Sequence, residues 1–174
     1  MTALMPWLVP AAGRDRDWFA ATIDRLAAEH GAPRFQPHVT VAVTFDAVED
    51  AAAQALALLV AEVPPVDLTF DAIGHEATYF RALYLRAMPA RQLLALQQAA
   101  QRTWALAPFV HVPHLSLLYS DLAEEHKRPI IDSLDISLPL TIRFDAVELW
   151  ARDPRGVRSW YRTGRIPLSG VPAP

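Results

Sequence analysis

Hydrophobic positions along the chain change period repeatedly, and each change predicts an element. Met5 to Val9 is a short apolar run closed by Pro10, which predicts a strand. From Asp15 to His30, Trp18, Phe19, Ile23 and Leu26 fall at helical spacing, and Gly31 ends the pattern. His38 to Phe45 alternates and is rich in β-branched residues, predicting a strand. Asp46 to Glu62 is rich in Ala and Leu and opens on acidic residues, which suit a helix N-terminus. Val66 to Ile73 and Ala82 to Met88 read as paired strands around a loop at Gly74–Thr78. Pro89 to Leu106 reads as a helix with proline in its first turn. His114 to Ser120 reads as a strand, and Asp121 to Leu134 as helix, broken or restarted at Pro129. Leu138 to Trp150 and Ser159 to Ile166 read as a closing hairpin across Asp153–Gly156. The stripes Leu56–Val60 and Leu93–Leu96 read as helix cores.

The order divides into two similar halves, and the similarity sharpens at two places. One is Phe35-Gln36-Pro37-His38-Val39-Thr40-Val41; the other is Val112-Pro113-His114-Leu115-Ser116-Leu117. Both read Pro-His-apolar-hydroxyl-apolar at a strand start, close to half the chain length apart. Residues i and i+2 of a strand share a face. His38 and Thr40 therefore point one way, with Val39, Val41 and Val43 turned to a core. His114 and Ser116 pair likewise, opposite Leu115 and Leu117. Packed together, the halves would make a pocket of two imidazoles and two hydroxyls. One neutral His can take a proton from water while the other, protonated, supplies one to a leaving oxygen. The hydroxyls can donate to phosphate oxygens. That is equipment for phosphodiester cleavage without metal. These residues leave open which histidine is the base.

Composition narrows the alternatives. The chain has 174 residues, 52% hydrophobic, enough for a sizeable core, and its dispersed prolines form no linker. One two-lobed domain over 1–174 is the expectation. Cysteine is absent, which excludes a thiol nucleophile, a disulfide scaffold and a thiolate metal site. No apolar run reaches the ~18–20 residues of a membrane span, and Met1 to Pro10 reads poorly as a signal peptide, so a cytoplasmic protein without membrane partners is expected. His111 and His114 form His-x-x-His, but on a strand i and i+3 face apart, so no metal is expected. His30 reads as a helix C-terminal residue, His75 as a loop residue and His126 as solvated. Net charge is −3, yet the basic residues are 15 Arg and a single Lys, Lys127. Genomic base composition can produce such a bias. Six of these arginines (Arg143, Arg152, Arg155, Arg158, Arg162, Arg165) fall between Thr141 and Arg165, interleaved with Trp150, Trp160 and Tyr161. That segment reads either as a hairpin with a solvated basic face or as an attractor for a diphosphate.

At its two motifs the chain resembles the two-histidine phosphoesterase superfamily, defined by a pair of His-x-Thr/Ser motifs, and within it the cyclic phosphodiesterase branch. Met5-Pro6-Trp7-Leu8-Val9-Pro10 and the stretch Val112 to Tyr119 extend the resemblance. It implies an α+β fold, bilobal and pseudo-twofold, with two antiparallel β-sheets lining a central cleft and helices packed outside. It implies hydrolysis of small cyclic phosphodiesters without cofactor or metal: ADP-ribose 1″,2″-cyclic phosphate and nucleoside 2′,3′-cyclic phosphates, opened to the monoester. Carried over by motif, His38 and His114 are the catalytic pair, His114 as base and His38 as acid. Thr40 and Ser116 bind phosphate, and Tyr119 and Trp7 line the nucleotide site. Tyr119, three positions after Ser116, reaches the pocket only if the strand ends or bulges there. A monomer acting on a small cyclic phosphate, with no stable nucleic-acid complex, is the expectation. The alternatives are an RNA-end 2′,3′-cyclic phosphodiesterase or 2′–5′ RNA ligase, which needs a broad basic groove, and a non-catalytic nucleotide-binding module.

Overall fold

The computed structural model describes residues 1–107 and 112–170; His111, and with it the His-x-x-His pair, lies outside them. The elements are β1 (Thr2–Pro10), α1 (Arg14–Glu29), β2 (Val39–Thr40), β3 (Phe45–Ala47), α2 (Glu49–Val60), β4 (Val66–Gly74), β5 (Leu83–Ala87), α3 (Arg91–Thr103), β6 (His114–Leu118), α4 (Glu124–Asp132), β7 (Leu140–Ala151) and β8 (Tyr161–Pro167). Short 3₁₀ turns sit at Tyr79–Arg81 and Val157–Ser159. The fold is α+β, with helices against antiparallel strands as expected. The two expected sheets are continuous, however: eight strands run in the order β3-β1-β2-β6-β5-β4-β7-β8, and β1 also pairs with β7. The circuit β1–β2–β6–β5–β4–β7 therefore closes on itself.

Two joints fuse the halves. Between β1 and β7 the ladder is long, from Leu4↔Ala151 to Pro10↔Phe144. Between β2 and β6 it is one residue pair, Val39↔Leu115. Both residues are fully buried and follow a motif histidine directly. Along β1, Leu4 and Leu8 join the main core, while Met5, Trp7 and Val9 form a second cluster with Trp150 and Trp160. A strand covered on both faces is apolar throughout, which is why Met5 to Val9 shows no alternation. Phe19 and Leu26 of α1, Leu56 and Val60 of α2, and Leu93 and Leu96 of α3 fill the main core. The two leucine stripes are thus helix cores.

The strand expected over His38 to Phe45 is much shorter, and β1 supplies the reason. Val41 N donates to Pro6 O at 2.9 Å, but Pro6 has no N–H to return the bond. The ladder stops after Trp7↔Thr40 and resumes at Leu4↔Phe45, a register two residues longer on the second strand. The surplus bends away from the core, so Val43, expected inside, is only half-buried. A second correction concerns α4. It begins at Glu124, because Leu122 N is held by Ser120 Oγ at 3.1 Å in a turn, and it continues through Pro129. Proline there forfeits one backbone bond.

Lys127 fastens α4 to the loop after β4. Only 2% exposed, it donates to Glu76 O at 2.6 Å and to Glu124 Oε2 at 3.0 Å. No helix among the described residues is long and apolar enough to cross a membrane.

The β2–β6 joint predicts a stability contrast. Leu115→Ala empties a fully buried position and is expected to cost about 2–5 kcal/mol in denaturant melts. Leu94→Ala, on the exposed face of α3, is expected to stay within about 0.5 kcal/mol. Equal costs would show that the joint carries no special share of the packing.

Candidate active site

Each motif builds its histidine the same way. Proline biases the residue before it toward an extended conformation. The carbonyl of that residue meets the imidazole two positions on: His38 Nδ1 lies 2.6 Å from Gln36 O, and His114 Nδ1 lies 2.7 Å from Val112 O. A carbonyl oxygen only accepts, so both rings carry their proton on Nδ1 and their lone pair on Nε2. The Pro-His pairing is thus a tautomer lock as well as a chain-direction device.

The Val39↔Leu115 pair then sets the histidines against each other. Carried one step each way, that antiparallel register puts His38 across from Ser116 and Thr40 across from His114. Each hydroxyl-bearing residue is thus the cross-strand neighbour of the other half's histidine. All six residues singled out from the sequence (Trp7, His38, Thr40, His114, Ser116 and Tyr119) line one cavity of about 360 Å³. Tyr119 arrives there for both of the reasons the alternation required. β6 ends at Leu118, and the β5–β6 ladder slips by one residue between Tyr84↔Ser116 and Leu83↔Leu118. Its hydroxyl donates toward His38 Nε2 across a long 3.4 Å.

The two imidazoles differ in their surroundings. His38 is 6% exposed and stacks on Trp7, ring centroids 3.7 Å apart and planes 8° from parallel. Trp7 stacks in turn on Trp150, whose Nε1 donates to the buried Glu148 carboxylate at 2.9 Å. Burial lowers the His38 pKa to about 3, against a raising pull from the Gln36 carbonyl; a charge on His114 lowers it further. His114 is half-buried, with the edge of Tyr84 against its ring. Its pKa is also lowered, first by burial; the Val112 carbonyl and Glu76 raise it and Arg81 lowers it. Burial raises the Tyr119 pKa, so its hydroxyl stays protonated.

The hydroxyls also differ. Ser116 Oγ donates to Phe80 O at 2.9 Å. Among the described residues, no partner engages the Thr40 hydroxyl, while the Thr40 carbonyl accepts from Gln97 at 3.1 Å. Phe80 and Arg81 come from the 3₁₀ turn after β4 and were not marked by the sequence, since no periodicity places a turn over a distant strand. Arg81 pairs with Glu76 at 2.6 Å, and Glu76 also accepts from Tyr84 OH at 3.1 Å. Val43 and Thr44 reach the cavity through the surplus beside Pro6.

The Arg-rich segment divides. Arg143, Arg155, Arg162 and Arg165 pair with Asp67, Asp153, Glu148 and Asp145, and Arg158 reaches the Gly31 and Ala32 carbonyls. Arg152 lines the cavity, as does Trp160. Of the other histidines, His75 pairs with Glu124, His126 is exposed, and His30 caps α1.

A family model described as the 2′-5′ RNA ligase superfamily matches residues 14–156. The chain belongs to this superfamily. Among curated proteins it is similar to a cyclic phosphodiesterase of Arabidopsis thaliana, 27% identical over 140 residues, covering 78% of this chain and 77% of that protein. Among solved structures it is similar to E. coli LigT complexed with 3′-AMP, at TM-score 0.64 and 19% identity, covering 97% of this chain and 98% of LigT. A structure described as a phosphoesterase follows at TM-score 0.62 and 21% identity, covering 97% and 99%. The two-histidine resemblance read from the motifs is thereby borne out, and at these identities the solved structures carry the fold alone.

Burial of His38 has a consequence for superfamily members built this way. An unfolded histidine takes its proton near pH 6.5, whereas His38 does so near 3. Between those values the unfolded chain binds the extra proton, so stability falls as pH drops. His38 is expected to contribute up to about 1.4 kcal/mol of loss per pH unit in that window, and His38→Asn to flatten the curve. Identical acid dependence of the two proteins in urea melts would mean that His38 titrates normally in the fold.

Proposed function

We infer that this protein hydrolyses small cyclic phosphodiesters to monoesters, nucleoside 2′,3′-cyclic phosphates and ADP-ribose 1″,2″-cyclic phosphate being the candidate substrates. The observation that carries this is the matched tautomer lock: two Nε2 atoms presented to one cavity, each across from a hydroxyl. A water oxygen attacks phosphorus and loses its proton to one Nε2. The P–O bond to the ribose oxygen breaks, and that oxygen takes a proton from the Nε2–H of the other ring. Thr40 and Ser116 donate to the non-bridging oxygens, Ser116 by turning its proton away from Phe80 O. The fixed Nδ1–H bonds keep both rings aimed throughout. The similarity to a cyclic phosphodiesterase supports this reading.

Burial also orders the roles. A single proton shared by the pair favours His114, because the imidazolium costs more at the deeper His38, and a charged His114 disfavours it further. His38 is then the acceptor from water and His114 the donor, the reverse of the assignment carried over from the resemblance. An RNA-end reading, which the superfamily name suggests, calls for a broad basic groove. Most of the Arg-rich segment is instead committed to carboxylates.

His38→Ala and His114→Ala are each expected to lower turnover of 2′,3′-cyclic AMP by at least ~10²-fold with the melting curve of a folded protein. Chelator is expected to leave the wild-type rate unchanged. Near-normal turnover by either variant would defeat the reading. A nitrophenyl phosphodiester, whose leaving group needs no proton, is expected to restore much of the His114→Ala rate and little of the His38→Ala rate. The opposite pattern would return the acid role to His38.

A further inference from the structure

The proposed chemistry uses imidazoles and hydroxyls, and it leaves a buried carboxylate beneath them without a task. Glu148 is 1% exposed. It lies directly across the β1–β7 ladder from Trp7, as Trp150 lies across from Met5, and Trp7 is in turn across from Thr40. Cross-strand neighbours share a sheet face, so Glu148 and Trp150 belong to the face from which Met5, Trp7 and Thr40 line the cavity. A carboxylate withdrawn from water has to be matched by donors. Its two oxygens divide that work. Oε1 accepts from Arg162 Nη1 at 2.7 Å, with Arg165 Nε at a looser 3.7 Å. Oε2 accepts from the indole Nε1 of Trp150 at 2.9 Å. Ion pairing alone does not call for such depth: Arg143 and Arg165 meet Asp67 and Asp145 nearer the surface. What the buried position adds is the bond to Trp150.

That bond is the far end of a chain of contacts on His38. Trp150 stacks on Trp7 with centroids 4.9 Å apart and planes at 26°, and Trp7 stacks on His38 at 3.7 Å and 8°. An indole held by its faces can still slide and turn in its own plane. A hydrogen bond from its one N–H to a fixed acceptor stops both motions. His38 depends on such a backing. The Nδ1 bond to Gln36 O pins one point of the ring and leaves its tilt free, and the parallel face of Trp7 sets the tilt. His114 has the same kind of Nδ1 bond but meets Tyr84 edge-on, with planes at 66°. The stacked backing is a device of the first motif.

We propose that Glu148 is a positioning residue for His38: its carboxylate fixes Trp150, Trp150 seats Trp7, and Trp7 sets the plane in which His38 aims Nε2 into the cavity. The effect on rate rests on the hydrolytic reading; the effect on the ring rests on the stack alone.

The test reads ring and rate separately. Protons lying over an indole face are shifted upfield by its ring current. The His38 Cε1–H and Cδ2–H signals, assigned with His38→Asn, therefore report the stack in solution NMR. Glu148→Leu is expected to move both signals downfield. It is also expected to lower kcat for 2′,3′-cyclic AMP by about tenfold, a modest misalignment of a reacting group, and to leave KM within about twofold. Glu148→Gln still offers Trp150 an amide oxygen and is expected to keep the upfield signals and most of kcat. Arg162→Gln removes the ion pair, leaves the indole bond, and is expected to do the same. Should Glu148→Leu fail to fold, Trp150→Phe, which keeps a ring under Trp7 and deletes the N–H, carries the test with the expectations set for Glu148→Leu. Unmoved His38 signals in the variant that carries the test overturn the proposal, whatever happens to kcat. So does an equal downfield move in Arg162→Gln, which would give the role to the ion pair. If wild type opens no cyclic phosphate while the NMR contrast holds, the hydrolytic reading fails and the positioning stands.

Discussion

The pairing of Val39 with Leu115 makes one site out of two distant segments. Each half of the chain can present an imidazole and a hydroxyl on a strand face, but neither half alone makes a pocket. Antiparallel pairing through the residue after each histidine exchanges the partners, so the hydroxyl-bearing residue of one half lies across the register from the histidine of the other. A slip by one residue would turn either motif to the opposite face. The long β1–β7 ladder and the core beneath α1, α2 and α3 hold that short joint at register.

Around this joint the site separates two demands. The proline-linked Nδ1–H bonds fix ring orientation and tautomer by local geometry. Depth then sets proton affinity: His38 lies in an aromatic stack, His114 nearer the mouth between Tyr84, Glu76 and Arg81. Two chemically similar motifs become unequal through burial and neighbouring charge rather than through their own residues.

Much of this was legible in the sequence, for local reasons. Helices α1, α2 and α3 follow the apolar period, and the His-x-Thr/Ser repeat follows strand alternation. What was hidden depends on a partner. Nothing in His38 to Phe45 says that Pro6 will interrupt its ladder, so the inward placement of Val43 failed. The arrival of Phe80 and Arg81 over Ser116 depends on the loop that Lys127 ties to α4, a contact across 51 positions. The β2–β6 joint, which closes the circuit of strands, rests on one residue pair, too small a feature to show as a pattern. The Arg-rich segment resolved only when four of its six guanidiniums could be matched to carboxylates.

The burial of Lys127 makes the chain's chemistry toward amine reagents unusual. Its one lysine is 2% exposed and held by Glu76 and Glu124. Acylation of its Nζ therefore marks the moment when α4 lifts from the loop bearing Phe80 and Arg81. The protein carries its own chemical clock for opening of the wall that covers Ser116.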